Sequence, residues 1–229
     1  MKKSFLICFF GMDGSGKSTL SHSLFEELQN REINTSYTWW LERENSFLRK
    51  TIRKLHKNNS IDNNTSPPCS FSQKPHIFGF NFFFCLIYPR FILMNYLFFG
   101  FFRARIPMHC GVKKILIFDR YFPDVISALS EEFGISIRHS ILIKLYSMII
   151  PDPDLIFIIK VSPEISYNRK KDEILSIENA KHIWERQENM YTNFLYKFNK
   201  SKILEVDNSG DISDTKKRVV SETMQFINE

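Results

Sequence analysis

The sequence contains few of the residues from which metal clusters and disulfide frameworks are built. Its four cysteines are widely separated and form no C-x-x-C pair, and only six histidines occur among 229 residues. Because no ligand spacing typical of zinc is present, the sequence does not indicate a zinc module. Scattered cysteines without a pairing pattern indicate reduced, partly buried thiols, so we predict a cytoplasmic protein rather than a disulfide-rich secreted one.

The sequence also lacks an uninterrupted apolar run long enough to cross a bilayer. Segment 77–102 is long and rich in phenylalanine, but Pro89 and Arg90 fall at its middle. Its clean part, 91–102, has 12 residues, whereas a membrane-spanning helix needs about 20. We therefore expect a buried helix here, with peripheral contact to a membrane through 77–102 and a true membrane span as the two alternatives.

Phenylalanine and positive charge are what the chain has in excess. It contains 23 phenylalanines, and eleven of them fall between Phe71 and Phe102. Lysine and arginine number 31 against 25 aspartates and glutamates, which gives a net charge of +6. A basic excess suits anionic ligands such as phosphates or nucleic acid. Nucleic acid is the less favoured partner, because no recognised nucleic-acid module accompanies the basic stretch 49–57.

Short apolar runs alternate with longer amphipathic runs along the chain, which predicts an α/β fold with a parallel sheet. Strands are predicted at 5–10, 33–40, 114–119, 155–161 and 203–206. Helices are predicted at 17–30, 44–57, 85–103, 136–149, 163–173, 178–198 and 214–227. The polar stretch 58–74 indicates a surface loop, and no second domain boundary is visible, so residues 1–229 are predicted to form one domain.

A glycine-rich loop follows the first predicted strand and leads into the first predicted helix. Its residues fit the pattern G-x-x-x-x-G-K-[ST] and are Gly11, Met12, Asp13, Gly14, Ser15, Gly16, Lys17, Ser18 and Thr19. The backbone N–H groups of such a loop, with the N-terminus of the following helix, cradle a triphosphate. Lys17 is predicted to reach the β- and γ-phosphates, and the Ser18 hydroxyl to ligate Mg²⁺. We therefore expect ATP and Mg²⁺ as cofactors.

A carboxylate stands where a bound magnesium ion would need it, at the end of the third predicted strand. Four apolar residues are followed there by Asp119, Arg120 and Tyr121. Parallel sheets bind their ligands beyond the carboxyl ends of the strands. Asp119 is therefore predicted to hold Mg²⁺ or its water, and the guanidinium of Arg120 to grip a phosphate. A structural ion pair between Asp119 and Arg120 is the alternative interpretation.

The glycine-rich loop and the Asp-Arg-Tyr strand end at 119–121 together resemble the thymidylate kinases and their relatives among the nucleoside monophosphate kinases. Weaker signals follow in the family's order, such as Pro-Asp-Leu at 153–155 and Ser-Pro-Glu at 162–164. The resemblance implies a P-loop NTPase three-layer sandwich, in which helices flank a five-stranded parallel sheet of order 2-3-1-4-5. It also implies an enzyme that transfers the γ-phosphoryl group of ATP to a nucleoside monophosphate, with dTMP to dTDP as the expected reaction.

The same resemblance implies roles for individual residues of this chain. The residues expected to be catalytic are Lys17, Asp119, Arg120 and Arg169. The acceptor is expected to contact Asp13, Arg90, Arg120, Tyr121 and Trp40. The expected magnesium ligands are Ser18 and Asp119. Because Gly14 stands where some members carry an arginine, the resemblance implies basic residues in a lid at about 165–178, with Lys170 and Lys171 as further candidate lid cations.

The acceptor region, about 41–113, departs from the family pattern. The family usually carries a glutamine after its Asp-Arg-Tyr motif, and 122–129 contains none. Trp39 and Trp40 end the second predicted strand, where they would stack on an acceptor ring or pack in the core. Three alternatives to a nucleoside monophosphate kinase remain: a kinase of another small acceptor, an ATP-hydrolysing switch, or a membrane-associated protein. A homodimer is open as the assembly.

Overall fold

The computed structural model describes residues 4–39, 90–91, 93–109, 114–124, 148–172, 174, 176–195, 198 and 200–228. The strands are β1 (Ser4–Gly11), β2 (Thr35–Trp39), β3 (Lys114–Asp119), β4 (Leu155–Lys160) and β5 (Lys202–Asp207). The helices are α1 (Lys17–Asn30), α2 (Ile106–His109), α3 (Pro163–Arg169), α4 (Ile177–Leu195) and α5 (Ile212–Asn228). A π-helical turn, Phe101–Arg105, runs directly into α2.

The five strands form one parallel sheet of order β2-β3-β1-β4-β5. The three inner strands are apolar runs whose residues are almost all buried, because helices cover both faces of the sheet. The edge strand β5 instead alternates between half-buried and exposed residues along most of its length. The predicted sheet order 2-3-1-4-5 is confirmed, and the predicted strand limits are correct to within two residues.

Two apolar cores lie on the two faces of the sheet, and alternate side chains of β1 enter them. Cys8 and Phe10 pack on one face, together with Tyr191 of α4. Ile7 and Phe9 pack on the other face, against apolar side chains of α1 and α5. Helices therefore cover the sheet on both sides, and the predicted three-layer sandwich is confirmed.

Helix α3 begins where the sequence predicts and ends earlier. The Ser162 hydroxyl accepts a hydrogen bond from the N–H of Ile165 at 3.3 Å, and Pro163 occupies the first turn. The sequence predicts a longer helix, but α3 ends at Arg169. The charged residues 170–172 offer no apolar side chain to the core, so packing does not extend the helix beyond that point.

The phenylalanine-rich segment is helical wherever the structure describes it. Residues 90–91 and 93–100 are α-helical and continue through the π-helical turn into α2. Several predictions lie mostly or wholly outside the described residues, namely the helices at 44–57 and 136–149, the loop at 58–74 and most of the acceptor region. The single-domain organisation of 1–229 stays a prediction. Among the described helices, none combines the length and apolar character needed to cross a membrane.

Candidate active site

The glycine-rich loop lies between β1 and α1, at the carboxyl end of the central strand. Gly14 and Gly16 have φ angles of +82° and +88°, a left-handed conformation that glycine adopts without strain. A Cβ at Gly14 would lie 2.9 Å from the carbonyl oxygen of Ser166, and one at Gly16 would lie 2.5 Å from Asn208 Nδ2. The curled shape of the loop therefore depends on these two glycines.

Two cations converge on one carboxylate inside this loop. The buried Lys17 ammonium donates to the Met12 carbonyl oxygen at 3.1 Å and to Asp13 Oδ1 at 3.0 Å. The guanidinium of Arg120, which follows β3, donates to the same Oδ1. Burial alone would raise the pKa of Asp13, but the charges of Lys17 and Arg120 outweigh it and bring this pKa to about 2. Asp13 is therefore ionised at neutral pH and holds both cations where phosphate binding is predicted.

The turn after β3 directs Arg120 toward the loop. Asp119 is paired in register with Phe9 of β1, and the N–H of Arg120 donates to the Phe9 carbonyl oxygen at 3.2 Å. Arg120 has a φ of +68°, a left-handed conformation that is strained for a residue with a Cβ. Within the described residues its ion pair is with Asp13, so the alternative of an Asp119–Arg120 pair is not what forms.

Asp119 is fully buried and has one unsatisfied oxygen. Its Oδ2 accepts from the Tyr37 hydroxyl at 3.2 Å, whereas Oδ1 has no hydrogen-bond partner in the described part of the chain. A hydrated magnesium ion would satisfy Oδ1, because Mg²⁺ keeps several waters and takes few protein oxygens besides substrate phosphates. Ser18, the other predicted magnesium ligand, is exposed in the first turn of α1. The unsatisfied Oδ1 of Asp119 therefore fits a hydrated magnesium ion that is bound mainly by nucleotide phosphates, and the role of Ser18 stays a prediction.

A buried chain of hydrogen bonds connects the first residue of the loop to α4 and to the residues that follow β3. The Tyr191 hydroxyl accepts from the N–H of Gly11 at 2.9 Å and donates to Asp124 Oδ1 at 3.2 Å. The other oxygen of Asp124 accepts from the N–H of Tyr121 at 3.1 Å. Burial raises the pKa of Asp124 to about 6, although the two cations of the site lower it in part. Asp124 is not among the predicted site residues, and its nearness to the Asp-Arg-Tyr motif is the one signal the sequence offers.

Helix α3 and the segment after β5 also make hydrogen bonds to the glycine-rich loop. The Ser166 hydroxyl donates to the Asp13 carbonyl oxygen. The Arg169 guanidinium donates to the carbonyl oxygens of Gly14 at 3.4 Å and of Asn208 at 3.0 Å. Arg169, the first of the three predicted lid cations, thus links the predicted lid to the glycine-rich loop by a hydrogen bond.

The remaining predicted acceptor residues have different surroundings. Tyr121 is buried, and its hydroxyl donates to the Pro151 carbonyl oxygen at 2.6 Å. Arg90 is exposed in the helical segment that leads to α2. Trp40 lies outside the described residues. The contact of these three side chains with an acceptor stays a prediction, as does the role of the two lid lysines.

A cleft opens beside the first two residues of the loop, between β4 and α4. Its lining includes Met12, Ile159, Trp184, Gln187 and Tyr191. Gln187 Oε1 is buried and has no hydrogen-bond partner in the ranges that the structure describes, and the Trp184 side chain is partly exposed. The cleft therefore offers an aromatic ring and an unsatisfied hydrogen-bond acceptor next to the loop. Neither residue is predictable from the sequence, because each is an ordinary position in a long amphipathic helix.

The parallel sheet of order 2-3-1-4-5 and the glycine-rich loop define a class of fold, that of the P-loop NTPases. Within this class, the solved structure of a thymidylate kinase from Ehrlichia chaffeensis is similar to this chain. The match covers 98% of each chain, with a TM-score of 0.51 and 20% sequence identity. No family model and no curated protein matches the sequence. The chain therefore has a thymidylate kinase-like fold.

Proposed function

We propose that this protein transfers the γ-phosphoryl group of ATP to a nucleoside monophosphate, with dTMP as the expected acceptor and dTDP as the product. The observation that carries the proposal is the convergence of Lys17 and Arg120 on Asp13, at the carboxyl ends of adjacent strands. The similarity of fold to a solved thymidylate kinase supports it. The choice of dTMP rests on the motifs of the sequence.

The side chains of the site would bind and orient two phosphate groups. Lys17 would exchange the Asp13 carboxylate for the β- and γ-phosphates of ATP, and Arg120 would exchange it for the acceptor phosphate. Arg169, which already contacts the loop, would bring a third positive charge to the transferred group. Ser18 and Asp119 would hold Mg²⁺, which neutralises charge on the phosphates when bound. Asp13 thus holds both cations in place until phosphate replaces it.

An acceptor screen tests the proposed reaction. The purified protein is incubated with ATP and Mg²⁺ and, in turn, with each common nucleoside monophosphate, and the diphosphate products are separated by chromatography. We expect dTDP to form from dTMP. If ATP is hydrolysed and no monophosphate is phosphorylated, the ATP-hydrolysing switch replaces the kinase as the function.

A lysine variant tests the site. Lys17→Ala should lower kcat/KM by about 100-fold or more, because it removes a buried cation from the transferred phosphate. Lys217→Ala is the matched control, since it removes an exposed lysine of α5 and should behave as the parent does. Full turnover by Lys17→Ala would show that the loop is not the phosphate site.

A further inference from the structure

The helical segment 90–105 carries exposed apolar side chains that the proposed function does not use. These are 40% to 63% exposed and comprise Phe91, Met94, Phe98, Phe101 and Phe102. Phe91, Met94 and Phe98 are spaced by three and four residues, which at about 100° per residue places them along one side of the helix. Phe102 continues this side through its ring contact with Phe98, and Phe101 contacts Phe102. We call them the phenylalanine stripe. Contiguous exposed apolar side chains of this kind mark a contact surface.

The opposite side of the same segment is packed on the protein core. Leu93 and Ala104 are buried in the core that covers one face of the sheet, and Phe99 packs against that core. Within the stripe, the rings of Phe98 and Phe102 lie 4.6 Å apart between centroids. The segment is thus held in place by its buried side, and the stripe is presented to the outside.

The charged residues in the sequence around the stripe have one sign. Arg90 stands at its beginning, and Arg103 and Arg105 stand at its end. The sequence contains no aspartate or glutamate between Asp62 and Asp119. Two copies that met through their stripes would bring like charges together without an acid of this stretch to pair with them. An anionic surface would instead be attracted to the arginines.

We propose that the phenylalanine stripe and its arginines dock this protein on the surface of an anionic lipid bilayer. The helical segment lies in the plane of the interface, with the aromatic rings at the level of the headgroups and with Arg103 and Arg105 on lipid phosphates. An interfacial helix needs one apolar face and a packed or polar opposite face, which this segment has. Docking is independent of the phosphoryl transfer proposed above, and it would hold the enzyme next to the membrane.

Vesicle flotation with the full-length protein tests the apolar part of the proposal. We expect binding to mixed phosphatidylcholine and phosphatidylglycerol vesicles, and weaker binding to phosphatidylcholine alone. The double variant Phe98→Ser with Phe102→Ser should bind about tenfold or more weakly. Met148→Ser is the matched control, because Met148 is 74% exposed and lies outside the stripe. It should bind as the parent does, and all three proteins should have similar thermal midpoints because the replaced side chains are exposed.

A charge variant tests the electrostatic part. Arg103→Gln with Arg105→Gln should weaken binding to the anionic vesicles, and added salt should weaken binding by the parent. Lys217→Gln with Arg218→Gln removes the same charge from exposed positions of α5 and serves as the control.

Three results would overturn the proposal. The first is equal binding by the parent to neutral and anionic vesicles, or no binding to either. The second is unchanged binding by the Phe98→Ser and Phe102→Ser double variant. The third is that the parent is a dimer and the double variant a monomer, while both bind vesicles equally. A second copy of the chain would then be the occupant of the stripe.

Discussion

Asp13 and Asp124 are two carboxyl groups near the same cations, yet their pKa values move in opposite directions from the ordinary 3.8. Asp13 contacts Lys17 and Arg120 directly, and its pKa falls to about 2. Asp124 is buried and accepts hydrogen bonds from uncharged groups, and its pKa rises to about 6. The stability that Asp13 contributes is therefore present above about pH 4 and lost as the pH falls toward 2. The stability that Asp124 contributes is present below about pH 4 and lost as the pH rises through 6.

Replacing Asp124 by asparagine should flatten the pH profile of stability. Between about pH 4 and 6, the folded parent keeps a proton on Asp124 that the unfolded chain has released. The free energy of unfolding of the parent therefore falls across this range, by up to about 3 kcal/mol from this group. Urea unfolding of the parent and of Asp124→Asn at several pH values measures the difference. The pH dependence, rather than the absolute stability, is the result that matters.

The control for this comparison is Asp214→Asn, because Asp214 is exposed at the start of α5. Its profile should run parallel to that of the parent. A parallel profile for Asp124→Asn would contradict the assignment of a raised pKa to Asp124.

Single residues of the site are predictable from the sequence where a local motif carries them. The glycine-rich loop and Asp119-Arg120 are such motifs, and both lie where expected. The pairing of Arg120 with Asp13 joins residues that are 107 positions apart, and the bond from Tyr191 to Asp124 joins residues 67 positions apart. Neither pairing has a local pattern, because each arises when the folded sheet and its helices bring distant parts of the chain together.

At the scale of elements, α3 and the glycine-rich loop are in close backbone contact. The carbonyl oxygen of Ser166 in α3 lies only 2.9 Å from the position that a Cβ at Gly14 would take. This contact holds the first turns of the predicted lid against the loop. The approach of the two elements therefore depends on a residue without a side chain at Gly14.

Gly14→Ala tests this dependence. The alanine would be strained at a φ of +82°, and its Cβ would lie 2.9 Å from the Ser166 carbonyl oxygen, so the loop or α3 must move. We expect a loss of about 1–2 kcal/mol in the free energy of unfolding from the left-handed conformation alone, together with weaker ATP binding. Chemical unfolding and titration calorimetry measure the two effects.

Gly210→Ala is the matched glycine control, because a Cβ there meets nothing within 4 Å. It should change stability by less than about 0.5 kcal/mol. If both variants behave alike, the contact between α3 and the loop does not depend on Gly14.

The strands are predictable from the sequence because burial on both faces leaves continuous apolar runs, as in β1 and β3. The start of α3 is predictable because Ser162 and Pro163 form a local capping signal. The end of α3 is not predictable, because residues 170–172 would suit an exposed helical turn equally well. Packing decides where the helix ends. The π-helical turn after residue 100 likewise has no marker in the sequence.

At the scale of the whole molecule, six elements of the described structure meet at the glycine-rich loop: β1, α1, the turn after β3, α3, α4 and the segment after β5. A ligand bound there stabilises the folded state as a whole, because the unfolded chain offers no such site. Mg²⁺ and ATP at about 100 times the dissociation constant should add about 2.7 kcal/mol to the free energy of unfolding. For a chain of this size, this corresponds to a rise of roughly 5–10 °C in Tm.

Differential scanning calorimetry with and without Mg²⁺ and ATP measures this rise. Lys17→Ala should lose it, whereas Lys217→Ala should keep it. An unchanged Tm for the parent at saturating ATP would argue against nucleotide binding at the loop.

The position of β1 at the centre of the sheet also determines when the protein can assemble. Both neighbours of β1 lie more than a hundred residues further along the chain, at β3 and β4. Parallel pairing over such separations closes long loops and is slow. On the ribosome, an almost wholly apolar strand is therefore synthesised well before either partner emerges, and it is prone to aggregation until then. The glycine-rich loop gains its last described supports when Ser166 and Asn208 have been made, so the proposed nucleotide site is completed late in synthesis.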